Sequence, residues 1–153
     1  VFVADHVSSE IFAPKTLTPT GNTQIICLIY TPDGSLRGVN RSVAQQIDLM
    51  PTLLGLTGYD RPHFAFGRDV LRETDREPMV SNYAGGTYQG ITDSLVLFFD
   101  GERTLSAYLR SDTLQKNDIS GIRTPALEAA ERDLKARLQQ YYRHVKQKDY
   151  LAE

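Results

Sequence analysis

Asp5 and His6 stand side by side where Val1-Phe2-Val3-Ala4 stops, a short run of small, β-branched and aromatic residues that predicts a buried strand. Within a strand, neighbouring side chains point to opposite faces. At the strand's end the backbone turns, so the carboxylate and the imidazole can converge on one point. A hard carboxylate oxygen and a borderline imidazole nitrogen suit a divalent metal, which makes Asp5 and His6 the candidate metal ligands. The plainer alternative has Asp5 capping a following helix and His6 lying on the surface.

Other residues with chemical potential read more simply. Ser8 and Ser9 could hydrogen-bond a phosphate, but an N-cap is the simpler use. Cys27 falls in the middle of an apolar run and reads as a small core residue. Asp48 precedes a helical pattern and reads as its cap, not as a catalyst. His63 lies in a polar loop, where a surface position outweighs support of a ligand. Phe64 and Phe66 beside it read as core plugs. Gly34-Ser35-Leu36-Arg37-Gly38 is not a nucleophile elbow, because its serine comes one position early. No His-x-x-x-His, Cys-x-x-Cys, phosphate loop or dinucleotide fingerprint occurs.

The elements that must position Asp5 and His6 follow from pattern. Gln24 to Tyr30 is a continuous apolar run that predicts a second buried strand, adjacent and parallel to the first because the connection between them is long. Between the two, 7–23 reads as a loop with a turn of helix over 8–12. Val39 to Gln46 predicts an edge strand. From Asp48 a helix follows, with Pro51 in its first turn and Ile47, Met50, Leu53, Leu54 and Leu56 as its apolar face.

From Pro78 the style changes to short alternating strands, Met79–Tyr83, Thr87–Ile91, Ser94–Phe99 and Thr104–Arg110. The turns Ala84-Gly85-Gly86 and Asp100-Gly101 make them an antiparallel meander. Leu95, Leu97, Phe99, Leu105, Ala107 and Leu109 are expected to share one face. Ser111 to Arg123 reads as a connector. Thr124-Pro125 then opens a helix whose Leu127, Ala130, Leu134, Leu138, Tyr141 and Val145 recur at helical spacing, the natural cover for the meander.

The chain of 153 residues suits one domain. Its net charge of −2, with both signs mixed, provides no footprint for nucleic acid. No apolar run reaches the roughly 18 residues of a membrane span. A single cysteine excludes an internal disulfide. The sequence opens inside a strand pattern, as a piece of a longer protein would.

Four stretches occur in a telling order: Phe2-Val3-Ala4-Asp5-His6, Ile29-Tyr30-Thr31-Pro32, Gln46-Ile47-Asp48-Leu49-Met50-Pro51-Thr52-Leu53-Leu54-Gly55-Leu56 and Phe66-Gly67-Arg68-Asp69-Val70-Leu71. The set resembles the C-terminal part of the catalytic domain of sulfatase-like enzymes in the alkaline phosphatase superfamily, most closely the lipoteichoic acid synthase and phosphoglycerol transferase branch. It runs from Val1 to about Leu71 and is fainter from Asn82 to Leu97 and at Tyr141-Tyr142. One departure is Val7, where that family usually has Gly or Cys after the Asp-His pair; Val lacks glycine's freedom at positive φ.

The resemblance implies an α/β fold. Residues 1–72 would form the C-terminal part of an alkaline-phosphatase-like sheet, 78–110 the antiparallel meander and 124–148 the covering helix. It implies Asp5 and His6 as ligands of a divalent metal, Mn²⁺ first, with Zn²⁺, Mg²⁺ or Ca²⁺ in relatives. The substrate class would be a phosphodiester of phosphoglycerol type or a sulfate ester. The threonine nucleophile and an earlier acidic ligand would lie upstream, so this chain holds no catalytic residue, and its partner would be the N-terminal part of its own catalytic domain. No Cys/Ser-x-Pro-x-Arg motif of the formylglycine sulfatases is present. The parent would sit at the outer face of the cytoplasmic membrane, attached through segments absent here. The second reading is a non-catalytic α/β module for folding or partner binding, in which the Asp-His pair is vestigial.

Overall fold

The computed structural model describes residues 1–8, 10, 13–72 and 77–147. Ser9, most of the turn expected over 8–12, and position 148 of the expected last helix lie outside them. The fold is mixed α/β, with a four-stranded antiparallel meander packed on a long C-terminal helix and a separate two-stranded sheet.

The meander follows its pattern closely. β3 (Met79–Ala84), β4 (Thr87–Thr92), β5 (Leu95–Phe99) and β6 (Thr104–Leu109) are neighbours in chain order. Short turns allow only antiparallel pairing, and glycines 85 and 86 supply the positive φ of the first turn. α2 (Pro125–Gln147) begins as expected, with the Thr124 hydroxyl accepting from Leu127 N at 3.2 Å. Its Leu127, Ala130 and Leu134 close over Met79, Leu95, Leu97, Phe99 and Ala107 to make the core. A Cβ on Gly90 would lie 3.2 Å from Leu134 Cδ2, so the bare glycine lets the helix approach the sheet.

One of the residues expected on this face leaves it. The β5–β6 register shifts at Phe98–Phe99, so that Thr104 and not Leu105 stands opposite Phe99. Leu105 is the extra residue of a bulge and is exposed. The Thr104 hydroxyl takes the covered place and donates to Glu131 on α2 at 2.8 Å. Leu109, opposite Leu95, keeps its place on the face but is exposed at the strand's end. The connector 111–123 is more ordered than its composition suggests. Asp118 accepts from Ala107 N, and Ile119 N donates to Ala107 O at 2.8 Å, which closes the free edge of β6.

Residues 1–72 correct several expectations. β1 (Phe2–Val3) and β2 (Cys27–Leu28) are indeed adjacent, but they pair antiparallel, Phe2 with Leu28 and Val3 with Cys27. The connection contains two 3-10 turns, Pro14–Leu17 and Gly21–Thr23, and folds back without the crossover that a parallel pair requires. Nor are these strands buried: Phe2 is 68 % exposed, Ile26 79 %, and Cys27 is exposed instead of in a core. Among the described residues no layer covers either face, so the apolar run has little to pack against. Residues 39–45 form no strand. They are held through Val43 N, which donates to Asp93 at 2.7 Å, and Asn40, which donates to Val70 O. α1 (Leu49–Leu56) forms where expected, yet it buries Pro51 and Thr52. Ile47, Met50, Leu53 and Leu56 of its anticipated core face stay exposed.

Candidate functional site

β1 ends at Val3, with one more ladder bond from Ala4 N to Ile26 O at 3.1 Å. The chain then bends, and the bend brings the pair together as the sequence predicts. Asp5 Oδ1 accepts the His6 backbone N–H at 3.0 Å and lies 3.7 Å from His6 Nε2. The His6 Nδ1 proton goes to Val7 O at 2.7 Å, since a carbonyl can only accept. In the neutral ring this leaves the Nε2 lone pair on the side of Asp5, the arrangement in which imidazole binds a metal. Both side chains are exposed. The Val7 carbonyl, and then the Asp5 carboxylate, raise the His6 pKa above its ordinary value.

The bend is held from outside the strand. Gln46 Nε2 donates to both Ala4 O and Asp5 O, each at 3.1 Å. Gln46 opens the 3-10 turn Gln46–Asp48, which runs into α1. Asp48 anchors that turn. It is buried, and its two oxygens accept from Gln45 N at 2.9 Å and Arg68 N at 2.8 Å. This corrects the expected helix cap: the Asp48 side chain makes no bond to an N–H of α1, but reaches back to Gln45 and across to Arg68, so its role is structural without capping the helix. Thr52 extends the tie, donating to Asp48 O and accepting from Val70 N at 3.0 Å. A Cβ on Gly67 would sit 2.1 Å from Ile47 O, so only glycine lets the 66–71 loop lie against the turn. Gln45 joins the brace to the meander, its side-chain oxygen accepting Ser81 N at 3.2 Å. Residues 45–56 and 66–71 are thus a brace behind the Asp5–His6 bend, not a second set of ligands.

His63 stays apart from the pair. Its Nδ1 proton is directed to Arg61 O at 3.3 Å and its ring meets the edge of Tyr59. Phe64 and Phe66 are half-buried and pack on Tyr141 and His144 of α2, at 5.4 Å from Phe66 to Tyr141 and 4.8 Å from Phe64 to His144. They pin the loop to the helix, a contact that spacing alone did not signal. Ser8 accepts Glu10 N at 3.1 Å, a local turn. A hollow of about 460 Å³ lies on the meander face away from α2, between Leu17, Pro19, Phe98, Tyr108 and Leu114. Among its lining residues none is His, Cys, Asp or Glu.

Gln45 and Gln46 were not singled out by sequence reasoning. The available signal was a pair of amides one residue ahead of a helix-starting aspartate, too common a pattern to be specific. Among the described residues, no group of three or more His, Cys, Asp or Glu side chains is placed to hold an ion. Among the same residues, no helix is long and apolar enough to cross a membrane. No family model matches the chain, and neither a curated protein nor a solved structure does.

Proposed function

We propose that this chain is the C-terminal portion of a metal-dependent transferase or hydrolase acting on phosphodiesters of phosphoglycerol type or on sulfate esters. The observation that carries the reading is the Asp5–His6 bend, an imidazole lone pair and a carboxylate 3.7 Å apart, braced by the same ordered residues that make the family resemblance. The exposed apolar residues of β1, β2 and α1 add support, since a larger alkaline-phosphatase-like sheet and its helices would cover them. The N-terminal part of the same catalytic domain is the proposed partner, at the outer face of the cytoplasmic membrane.

In this reading Asp5 Oδ1 and His6 Nε2 hold a divalent ion, Mn²⁺ in preference to Zn²⁺, Mg²⁺ or Ca²⁺. Such an ion lowers the pKa of a nucleophile and neutralises charge on the transferred group. Asp5 contributes the negative charge, and the Val7 carbonyl fixes the His6 tautomer. The nucleophile and the remaining ligands come from the N-terminal part. Two ligands bind an ion weakly, because each missing one gives up an interaction that offsets its dehydration.

The chain by itself is therefore expected to hydrolyse a chromogenic phosphodiester with Mn²⁺ only at the buffer rate; turnover lost on Asp5→Ala would overturn the incomplete-site reading. In the parent protein, His6→Ala should remove metal and activity together while the fold persists. Equal metal content in parent and variant would remove His6 from the site. The competing reading, a non-catalytic module with a vestigial pair, is favoured by the absence of a third ligand among the described residues. The upstream coding sequence separates the two: a threonine after a strand pattern with an earlier acidic residue supports the enzyme.

A further inference from the structure

We infer that Gln46 is a positioning residue whose side-chain amide holds the backbone bend that presents Asp5 and His6. The purpose of this clamp rests on the metal reading above; the clamp itself rests on geometry. In an extended strand successive carbonyls point in opposite directions, so no single group can reach two in a row. Gln46 Nε2 reaches Ala4 O and Asp5 O at the same 3.1 Å, using its two N–H donors. Both carbonyls must therefore turn to one side, and that turn is what takes Asp5 and His6 out of strand alternation. On its other edge Ala4 is fixed by its N–H to Ile26 O.

A clamp is only as firm as its base. Gln46 starts a turn whose Asp48 is buried and bonded to Gln45 N and Arg68 N, with Gly67 lying against the Ile47–Asp48 peptide. The amide thus carries the rigidity of the brace to an exposed bend. The Asp-His stretch and the Gln46-Ile47-Asp48 stretch are physically one device, in which the second sets the backbone of the first.

The test compares the chain with its Gln46→Met variant, which keeps the side chain's length and removes its donors. Two NMR readouts are followed, the heteronuclear NOE of the Asp5 and His6 amides and the selective broadening of the His6 ring by Mn²⁺. In Gln46→Met the NOE at both amides should fall and the Mn²⁺ midpoint should rise about three- to tenfold, the size of one or two exposed hydrogen bonds. Signals of β3–β6 and α2, and the Tm, should not move. An unchanged NOE at Asp5 and His6 overturns the clamp. A lowered NOE with an unchanged midpoint overturns its role at the metal. If Mn²⁺ leaves the wild-type His6 ring untouched, while Asp5→Ala behaves identically, the metal reading fails and the clamp is judged by the NOE alone.

Discussion

Residues 77–147 and residues 1–72 use similar apolar side chains to opposite effect. In the first, β3–β6 and α2 shut Leu97, Phe99, Ala107 and Leu134 away from water. In the second, Phe2, Ile26, Leu28, Ile47, Met50 and Leu53 face it. The C-terminal region has two layers to press together. Among the described residues of the N-terminal region, Phe64 and Phe66 reach such a layer, on α2, but the patterns of β1, β2 and α1 stay largely uncovered. The N-terminal region is held by polar ties instead, from Asp48 to Gln45 and Arg68, from Thr52 to Val70, and from Gln46 to the end of β1. Amphipathic spacing says which face can be buried. Burial also needs a second surface within reach.

The largest expected effect tests that contrast directly. Leu134 has no exposed surface, and Leu134→Ala should cost about 3 kcal/mol through lost burial and the cavity left behind. Leu53→Ala should cost under about 0.5 kcal/mol, because Leu53 is exposed. Denaturant unfolding followed by circular dichroism measures both, and equal costs would erase the distinction between the regions.

An intermediate effect is expected at the polar brace. Asp48→Ala leaves the N–H groups of Gln45 and Arg68 without their acceptor, at a cost of about 2 kcal/mol. Hydrogen exchange should quicken across 45–70 while α2 keeps its protection. Equal loss of protection in α2 would make the two regions one cooperative unit.

The smallest effect is a pH dependence that sharpens the comparison. In the C-terminal region the Ala107 amide, and then the Ser120 amide, hold the Asp118 carboxyl below its usual range. The Arg103 amide does this for Asp100, the Asn117 amide for Asp112, and Lys135 for Glu131. In residues 1–72 the Ser35 amide holds the Asp33 carboxyl down in the same way. Because these folded values are depressed, their contribution is whole above the open-chain value of roughly 4 and is lost as pH falls through the folded ones. Thermal midpoints should hold level from pH 7 to 5 as far as these groups are concerned, then drop. The drop should be shallower in Asp118→Ala, and an equally steep one would take Asp118 out of the acid response.

Much of the C-terminal region was legible because its signals are local. Thr124-Pro125 starts α2, glycines turn β3 into β4, and alternation marks the covered face. The bulge escaped, since nothing in Thr104-Leu105-Ser106 says which residue will be skipped by Phe99, and so did the ties from Asp118 and Ile119 to Ala107. In the candidate site, the close approach of the Asp5 and His6 side chains could be read from an apolar run stopping at two polar residues. The place of Asp48 at the helix start was equally local, but the N–H groups it serves, on Gln45 and Arg68, are not those of α1.

Tertiary structure decided the rest. The antiparallel sense of β1 and β2 depends on how 4–26 folds back, and the exposure of Cys27 and Leu53 depends on layers that no residue of their own stretches specifies. The brace from Gln46 to Ala4 and Asp5 spans some forty positions of sequence. Local free energy, from caps, turns and alternation, is written in adjacent residues. Hydrogen bonds and burial between distant stretches exist only once the chain has brought them together, and that is where the geometry around Asp5 and His6 is set.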